Sequence, residues 1–429
     1  MQRKFFIRSF GCQMNVYDSR RISGHLEALG WARVDDALDA DAVIFNTCYI
    51  REKAADKVYS ELGRLRLSLN RKPVFAIVGC LAKADGSDVF RRAPFVSIVL
   101  SSQKYHLLPS LLERAGDGEK IAELGLDGLD KFDCLPPVSH AAHVEFVQIQ
   151  EGCDQCCSYC CVPRTRGREK SRPWREVLGE VENLVSLGAV EINLVGQNVN
   201  AYDGGVSLAS LIRKVAEIRG LRRIRFTTSY PSLMTGELVG LFAAEPKLMP
   251  LLYLPMQSGS DAVLEKMNRK YTLAEYFAIV EKMAKVAPRV KFSSDFIVGF
   301  PGETDNDFQA TLDAVRNIKF IQSFSFRYSP RPNTAAAKMD GQVPLAVKTE
   351  RIVELQKLLR SCQDEFNKSF VGRETEALFT ERMEDELLGR NEYQQMVIVK
   401  ADSARVGEIR RVAVDRASYA NLRGTVLPV

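Results

Sequence analysis

Five of the chain's ten cysteines fall in one short run, Gly152-Cys153-Asp154-Gln155-Cys156-Cys157-Ser158-Tyr159-Cys160-Cys161. Cys153, Cys157 and Cys160 have the spacing C-x3-C-x2-C, with the aromatic Tyr159 just before the third. Starting from Cys156 the same spacing fails, because position 163 is proline. Soft thiolates select iron–sulfur clusters or zinc. Three of them, not four, would leave one iron of a 4Fe–4S cluster open to a substrate group. The competing reading is a structural zinc loop on Cys153 and Cys156 with a distant pair. It is poorly supplied, since no close cysteine or histidine pair follows with zinc-finger spacing.

A second trio shows a different regularity. Cys12 follows the apolar run Phe5–Phe10, Cys48 follows Ala42–Phe45, and Cys80 follows Val74–Val78. In a parallel sheet such run ends lie on one edge, where loops converge into a crevice. Three thiols from separate loops can then meet and hold a second cluster. Buried inert cysteines are the plain alternative, and for any one of these positions it would win. Three in the same topological position favour the cluster. Cys134 and Cys362 read as ordinary thiols.

The elements that must position these residues follow from the pattern of the chain. At 429 residues, with 46% hydrophobic and 26% charged, the chain is a globular protein of two or three domains. The reading is α/β in three parts. Residues 1–115 alternate apolar runs, the last being Val96–Leu100, with amphipathic stretches, as in an N-terminal parallel α/β domain. Residues 116–143, rich in Gly, Asp and Pro, read as a linker. Residues 144–367 repeat a βα alternation through Phe146–Ile149, Glu191–Val195, Ile224–Thr227, Leu251–Leu254, Phe292–Val298 and Ile321–Phe326, predicting a central (βα)6-type partial barrel with its site at the C-terminal strand ends. Residues 368–429 carry short alternating runs, predicting a small β-barrel. No apolar run approaches a membrane span, and Phe5–Phe10 is broken by Arg8, unlike a signal peptide, so a cytoplasmic location is expected.

The cysteine motifs resemble a known family. Residues 152–173, GCDQCCSYCCVPRTRGREKSRP, are similar to the cluster segment of the radical S-adenosylmethionine (SAM) methylthiotransferases, and within them the MiaB-type tRNA branch. Gly11-Cys12-Gln13-Met14-Asn15, Asn46 to Ala54 and Gly79-Cys80 are similar to the family's three auxiliary-cluster motifs, and Arg51-Glu52-Lys53-Ala54 resembles the tRNA branch, not the ribosomal-protein branch. Cys156 stands where an aromatic is common, Arg164 where tyrosine is common, and Tyr230 where histidine is expected. The resemblance implies a radical SAM domain, two 4Fe–4S clusters and SAM. Cys153, Cys157 and Cys160 would be the catalytic cluster ligands, and Cys12, Cys48 and Cys80 would hold the sulfur-handling cluster. It further implies methylthiolation at C2 of N6-isopentenyladenosine beside the tRNA anticodon, with an electron donor such as flavodoxin or ferredoxin and a sulfur donor as partners. The alternatives are a threonylcarbamoyladenosine tRNA or ribosomal-protein substrate, or a non-catalytic zinc RNA-binding protein.

Polar residues punctuate the later run ends. Gly196 to Tyr202 (GQNVNAY) and Ile297 to Glu303 (IVGFPGE) match the family's SAM pocket closely, which implies Tyr159, Gln197, Gln257 and Asp295 near SAM. Thr304 to Asp307 could simply start a helix. The formal net charge of +5 is weak evidence for a nucleic-acid partner. Arg164, Arg166, Arg168, Lys170, Arg172 and Arg175, against Glu169 and Glu176, form a basic run directly behind the cluster loop, suited to a phosphate-rich substrate or else a solvated charge run. Lys400, Arg405, Arg410, Arg411, Arg416 and Arg423, against Asp402, Glu408 and Asp415, give the C-terminal barrel a candidate RNA face, TRAM-like in position and pattern.

Overall fold

The chain's first strands are β1 (Lys4–Ser9), β2 (Ala32–Arg33), β3 (Ala42–Thr47), β4 (Val74–Gly79), β5 (Val96–Leu100) and β6 (Ile121–Glu123). They pair in parallel throughout, in the order β2-β1-β3-β4-β5-β6. The computed structural model describes residues 2–49, 52–69, 71–116, 118–126, 131–136 and 138–428, with the side chains of 52–55 left aside. A parallel sheet is covered on both faces, so its central strands read as unbroken apolar runs. β3 is buried at every position. Ala42 and Ile44 pack on Ile22 and Leu26 of the helix Gln13–Ala28, while Val43 and Phe45 face Val58 and Leu62 of the helix Glu52–Ser68.

The segment 116–143, expected as a linker, takes part in the fold. It adds β6 to the sheet edge and buries Lys131 and Phe132 against the next part of the chain. Its composition hides this, because β6 is too short to show an alternation.

The central part contains β7 (Val144–Gln148), β8 (Gln150–Glu151), β9 (Lys170–Ser171), β10 (Glu191–Val195), β11 (Arg223–Phe226), β12 (Leu251–Tyr253), β13 (Lys291–Val298) and β14 (Gln322–Arg327). Two parallel halves, β11-β10-β7 and β12-β13-β14, meet through a parallel bridge from Ile224 to Leu248. Among the described residues β14 pairs only with β13, and β7 only with β10, so this six-stranded barrel is open on one side. β8 and β9 form a small antiparallel ribbon that clasps the cysteine loop. Thr304 and Asp307 make a reciprocal cap at the start of the helix Asp305–Ile318, the plain role that their sequence allowed.

The helix Leu345–Lys368 leads to a closed barrel of β15 (Glu374–Met383), β16 (Glu386–Asn391), β17 (Met396–Lys400), β18 (Ile409–Ala417) and β19 (Asn421–Val426). Ala377, Phe379, Leu387, Val397, Val412 and Leu422 fill it. Arg223 on β11 donates to the carbonyls of Arg390 and Glu376 at 3.0 Å each, holding the two barrels together.

Candidate active site

β1, β3 and β4 are neighbours in the sheet, so the residues after them share its carboxyl edge. Cys12 stands directly before the helix Gln13–Ala28, Cys48 directly after β3, and Cys80 opens the helix Cys80–Asp85. The Cys48 thiol hydrogen-bonds Cys12 and, aided by Arg166, brings the Cys12 pKa down to about 6. Burial pushes the Cys80 thiol up, against the pull of Arg166. Gly11 makes the approach possible: at φ 111° it adopts a backbone that L side chains avoid, and a Cβ there would overlap Cys48. Ile50 and Arg51 of the second motif lie outside the described residues.

Cys153, Cys157 and Cys160 lie on the loop between β8 and the helix Val162–Thr165. The loop is pinned by its backbone. Gly152 N–H donates to Gln197 Oε1 at 2.6 Å, Cys153 N–H to Gly167 O at 3.3 Å, Cys160 N–H to Cys157 O at 3.0 Å, and Ser158 N–H to Met267 O at 3.0 Å. Val162 N–H donates to Cys160 Sγ at 3.4 Å. Burial raises Cys153 to about 11 and raises Cys160 further, with the Cys161 and Cys157 thiols adding to the effect. Cys156 is exposed and Cys161 is buried.

Both trios have the chemistry of an iron–sulfur ligand set: three soft sulfurs, with a hydrogen-bond donor aimed at one of them. Arg269 donates to Cys157 Sγ at 3.5 Å, to Tyr271 Oη and to Pro255 O, with its guanidinium 4.2 Å from the Tyr230 ring centre. Arg166 donates to Cys80 Sγ at 3.3 Å. Among the described residues no three His, Cys, Asp or Glu side chains stand close enough to grip one metal ion.

A cavity of about 780 Å³ runs from Gly11, Cys12 and Cys48 past Thr228 and Asp295 into the lumen of the open barrel. Leu378, Thr380, Arg390 and Gln394 of the C-terminal barrel complete its wall. Ser293 Oγ, Asn198 Oδ1 and Ser229 Oγ are buried and make no hydrogen bond within the protein. Buried polar atoms rarely go without partners, and Asn198 and Ser229 follow the carboxyl ends of β10 and β11, where they fit a polar ligand such as SAM.

The structure separates the four residues expected near SAM. Asp295 lines the cavity that also holds Cys12 and Cys48. Gln257 has a left-handed backbone (φ 70°) and donates its N–H to Asp295 O at 2.8 Å. Gln197 grips the start of the cysteine loop. Tyr159 packs edge-on to Phe300, its ring centre 6.4 Å away.

The basic run behind the cluster loop is not one surface. Arg166 and Arg172 are both 2% exposed and engage carboxylates, whereas Arg164, Arg168, Lys170 and Arg175 are exposed. Sequence reasoning missed Arg166 and Arg269 as neighbours of the thiols. Arg166 was hidden in a charge run, and Arg269, between Asn268 and Lys270, belongs to no recognisable motif.

Residues 147–315 match the Radical SAM superfamily, residues 4–101 the family described as uncharacterized protein family UPF0004, and residues 368–427 the TRAM domain. A protein of Zymomonas mobilis named tRNA-2-methylthio-N(6)-dimethylallyladenosine synthase is 44% identical over 99% of this chain and 97% of its own length. One of the same name from Sphingopyxis alaskensis is 45% identical over 98% and 97%. Among solved structures, the radical SAM methyltransferase TsrM from Kitasatospora setae, with cobalamin and a [4Fe-4S] cluster bound, aligns with a TM-score of 0.58 at 15% identity, over 79% of this chain and 77% of that one, a likeness of fold alone.

Proposed function

The chain belongs to the family of the tRNA-2-methylthio-N(6)-dimethylallyladenosine synthases, and from that premise we infer how its residues divide the work. It is a radical SAM methylthiotransferase acting on tRNA, and the reaction is methylthiolation at C2 of N6-isopentenyladenosine next to the anticodon. Cys153, Cys157 and Cys160 hold the radical-generating cluster, and Cys12, Cys48 and Cys80 hold the sulfur-handling one. A 4Fe–4S cluster with an open iron supplies one-electron cleavage of SAM, and the auxiliary cluster supplies the sulfur.

What supports this division above all is one contact between the trios. Arg166, carried on the loop behind Cys160, reaches Cys80 of the other trio at 3.3 Å. Two ligand sets so joined can serve one substrate, and Cys12 and Cys48 of one set line the cavity. We assign Tyr159, Gln197, Gln257 and Asp295 to SAM: Asp295 lines the cavity, Gln257 N–H holds the Asp295 carbonyl, Gln197 grips the cluster loop and Tyr159 packs against Phe300. The target base must leave its stack to enter the cavity. Exposed Arg164, Arg168 and Lys170 and the C-terminal barrel are the RNA-contacting surface.

The three domains proposed are residues 1–115, 144–367 and 368–429, with 116–143 between the first two. The electron donor proposed is a flavodoxin or ferredoxin, and a separate sulfur donor recharges the auxiliary cluster. The site of action proposed is the cytoplasm, where the tRNA is. None of the described helices is long and apolar enough to cross a membrane.

The test is mass spectrometry of tRNA nucleosides from a strain lacking the gene. Loss of 2-methylthio-N6-isopentenyladenosine, restored by the wild-type gene and not by Cys157→Ala, is the expected result. An unchanged level of that nucleoside would overturn the reading and point to threonylcarbamoyladenosine or a ribosomal protein instead.

A further inference from the structure

Arg166 is 2% exposed, and its donors point in distinct directions. Nη1 meets Glu151 Oε1 at 2.8 Å, Nη2 meets Asp18 Oδ2 at 2.9 Å and Asn15 Oδ1 at 3.0 Å, and Nε meets Cys80 Sγ at 3.3 Å. Lys131 closes the circuit, with Nζ 3.0 Å from Asp18 Oδ1 and 2.9 Å from Glu151 Oε2. The side chains of these four charged residues are each 4% exposed or less. Two cations and two anions thus alternate in a ring sealed from water.

Three of the ring's four members come from the segments that carry the thiols, and Lys131 comes from the stretch between β6 and β7. Asp18 lies on the helix that begins after Cys12, Glu151 lies just before Cys153, and Arg166 lies just after Cys160. A ring built only for adhesion would be complete with the two carboxylates. The Nε–H would then be left over, and here it is aimed at sulfur. Because the guanidinium is a rigid planar fork, anchoring its two outer nitrogens fixes the direction of the third.

We propose that Arg166 is a positioning residue for the auxiliary cluster: anchored by Asp18 and Glu151, it holds Cys80 in place from the other cluster's loop and raises the reduction potential of the auxiliary centre. This inference rests on reading Cys12, Cys48 and Cys80 as that cluster's ligands. A donor to a ligand sulfur favours the reduced, more negative cluster, so its loss lowers the potential. Arg269, which donates to Cys157, is the internal control for the other centre.

The experiment is an EPR-monitored redox titration of the full chain, reconstituted without oxygen, with iron and sulfide counted first. Arg166→Lys keeps the charge and loses the fork. It should retain both clusters and shift only the auxiliary signal to lower potential, with less methylthiolated product per 5′-deoxyadenosine formed. Arg269→Lys should shift only the radical-generating signal. An auxiliary potential that does not move in Arg166→Lys, or an equal shift of both signals, overturns the proposal. If Arg166→Lys loads a single cluster, Asp18→Asn decides, since it keeps the guanidinium and removes one anchor. A smaller shift of the auxiliary signal alone supports the proposal, and no shift overturns it. A wild-type protein with only one cluster, or a Cys12→Ala variant that keeps two, defeats the ligand reading beneath it, a failure distinct from a motionless potential in a protein that carries both.

Discussion

Cys153, Cys157 and Cys160 come from one loop, whereas Cys12, Cys48 and Cys80 come from three separate segments along the edge of a sheet. The first set is held by hydrogen bonds within its own segment and by Gln197, Lys266, Met267 and Asn268 around it. The second exists only because β1, β3 and β4 lie side by side. Their guanidiniums differ too. Arg269 bonds to a phenol, a carbonyl and a sulfur, while Arg166 is committed to two buried carboxylates. One site is a local motif set into a fold, and the other is a consequence of the fold.

The sharpest way to break this comparison is to remove one sulfur from each side. Cys12→Ala and Cys157→Ala should each lose about half the iron, one cluster of two. Cys12→Ala should still cleave SAM to 5′-deoxyadenosine but form no methylthiolated product, whereas Cys157→Ala should do neither. Iron analysis and chromatography of the products decide, and SAM cleavage by Cys157→Ala would reverse the assignment.

The guanidiniums give the next contrast. Arg166→Met leaves Asp18 and Glu151 with only Lys131 between them and should cost about 3–5 kcal/mol, the usual loss when a buried ion pair is broken. Arg269→Met strands no carboxylate and should cost about 1–2 kcal/mol. Anaerobic denaturant unfolding measures both, and equal costs would erase the distinction.

A smaller effect is expected at Gln197. Replacing it by Ala frees the Gly152 N–H, at about 1 kcal/mol. It should loosen the single-loop site alone, so that chelator strips the radical-generating cluster first. Loss of both clusters at the same rate would show that the two sites are not independently held.

Acid should separate the two regions most gently. Burial, aided by His106 and Arg21, lowers His25, on the helix after Cys12, from 6.5 to about 4. Between those values the unfolded chain binds the proton and the folded one does not. This contribution is whole above pH 6.5 and fades as pH falls toward 4, by less than the shift implies because the ring is partly solvated. In the central part burial raises Glu303 and Glu145. There the folded state takes up protons first, and mild acid is stabilising. Hydrogen exchange from neutral pH downward should show the N-terminal sheet loosening before the central barrel, and His25→Gln should narrow the gap.

Much of this was legible in the sequence, for reasons that differ along the chain. The apolar runs before Cys12, Cys48 and Cys80 mark β1, β3 and β4 because a doubly covered parallel sheet leaves no room for alternation. The single-loop motif is local and needs no fold to be read. Arg166 was not legible as buried. Its environment depends on Asp18 and Glu151, which only the folded chain brings to it, so in sequence it looks like any member of a charge run. Lys131 was masked in the same way by a segment whose composition suits a linker.

The C-terminal barrel contributes Leu378, Thr380, Arg390 and Gln394 to the wall of the cavity. It therefore serves as a stopper as well as a handle. A chain cut short after the helix Leu345–Lys368 would leave the cavity open at the end where β10 and β11 begin, and water would enter the lumen from there.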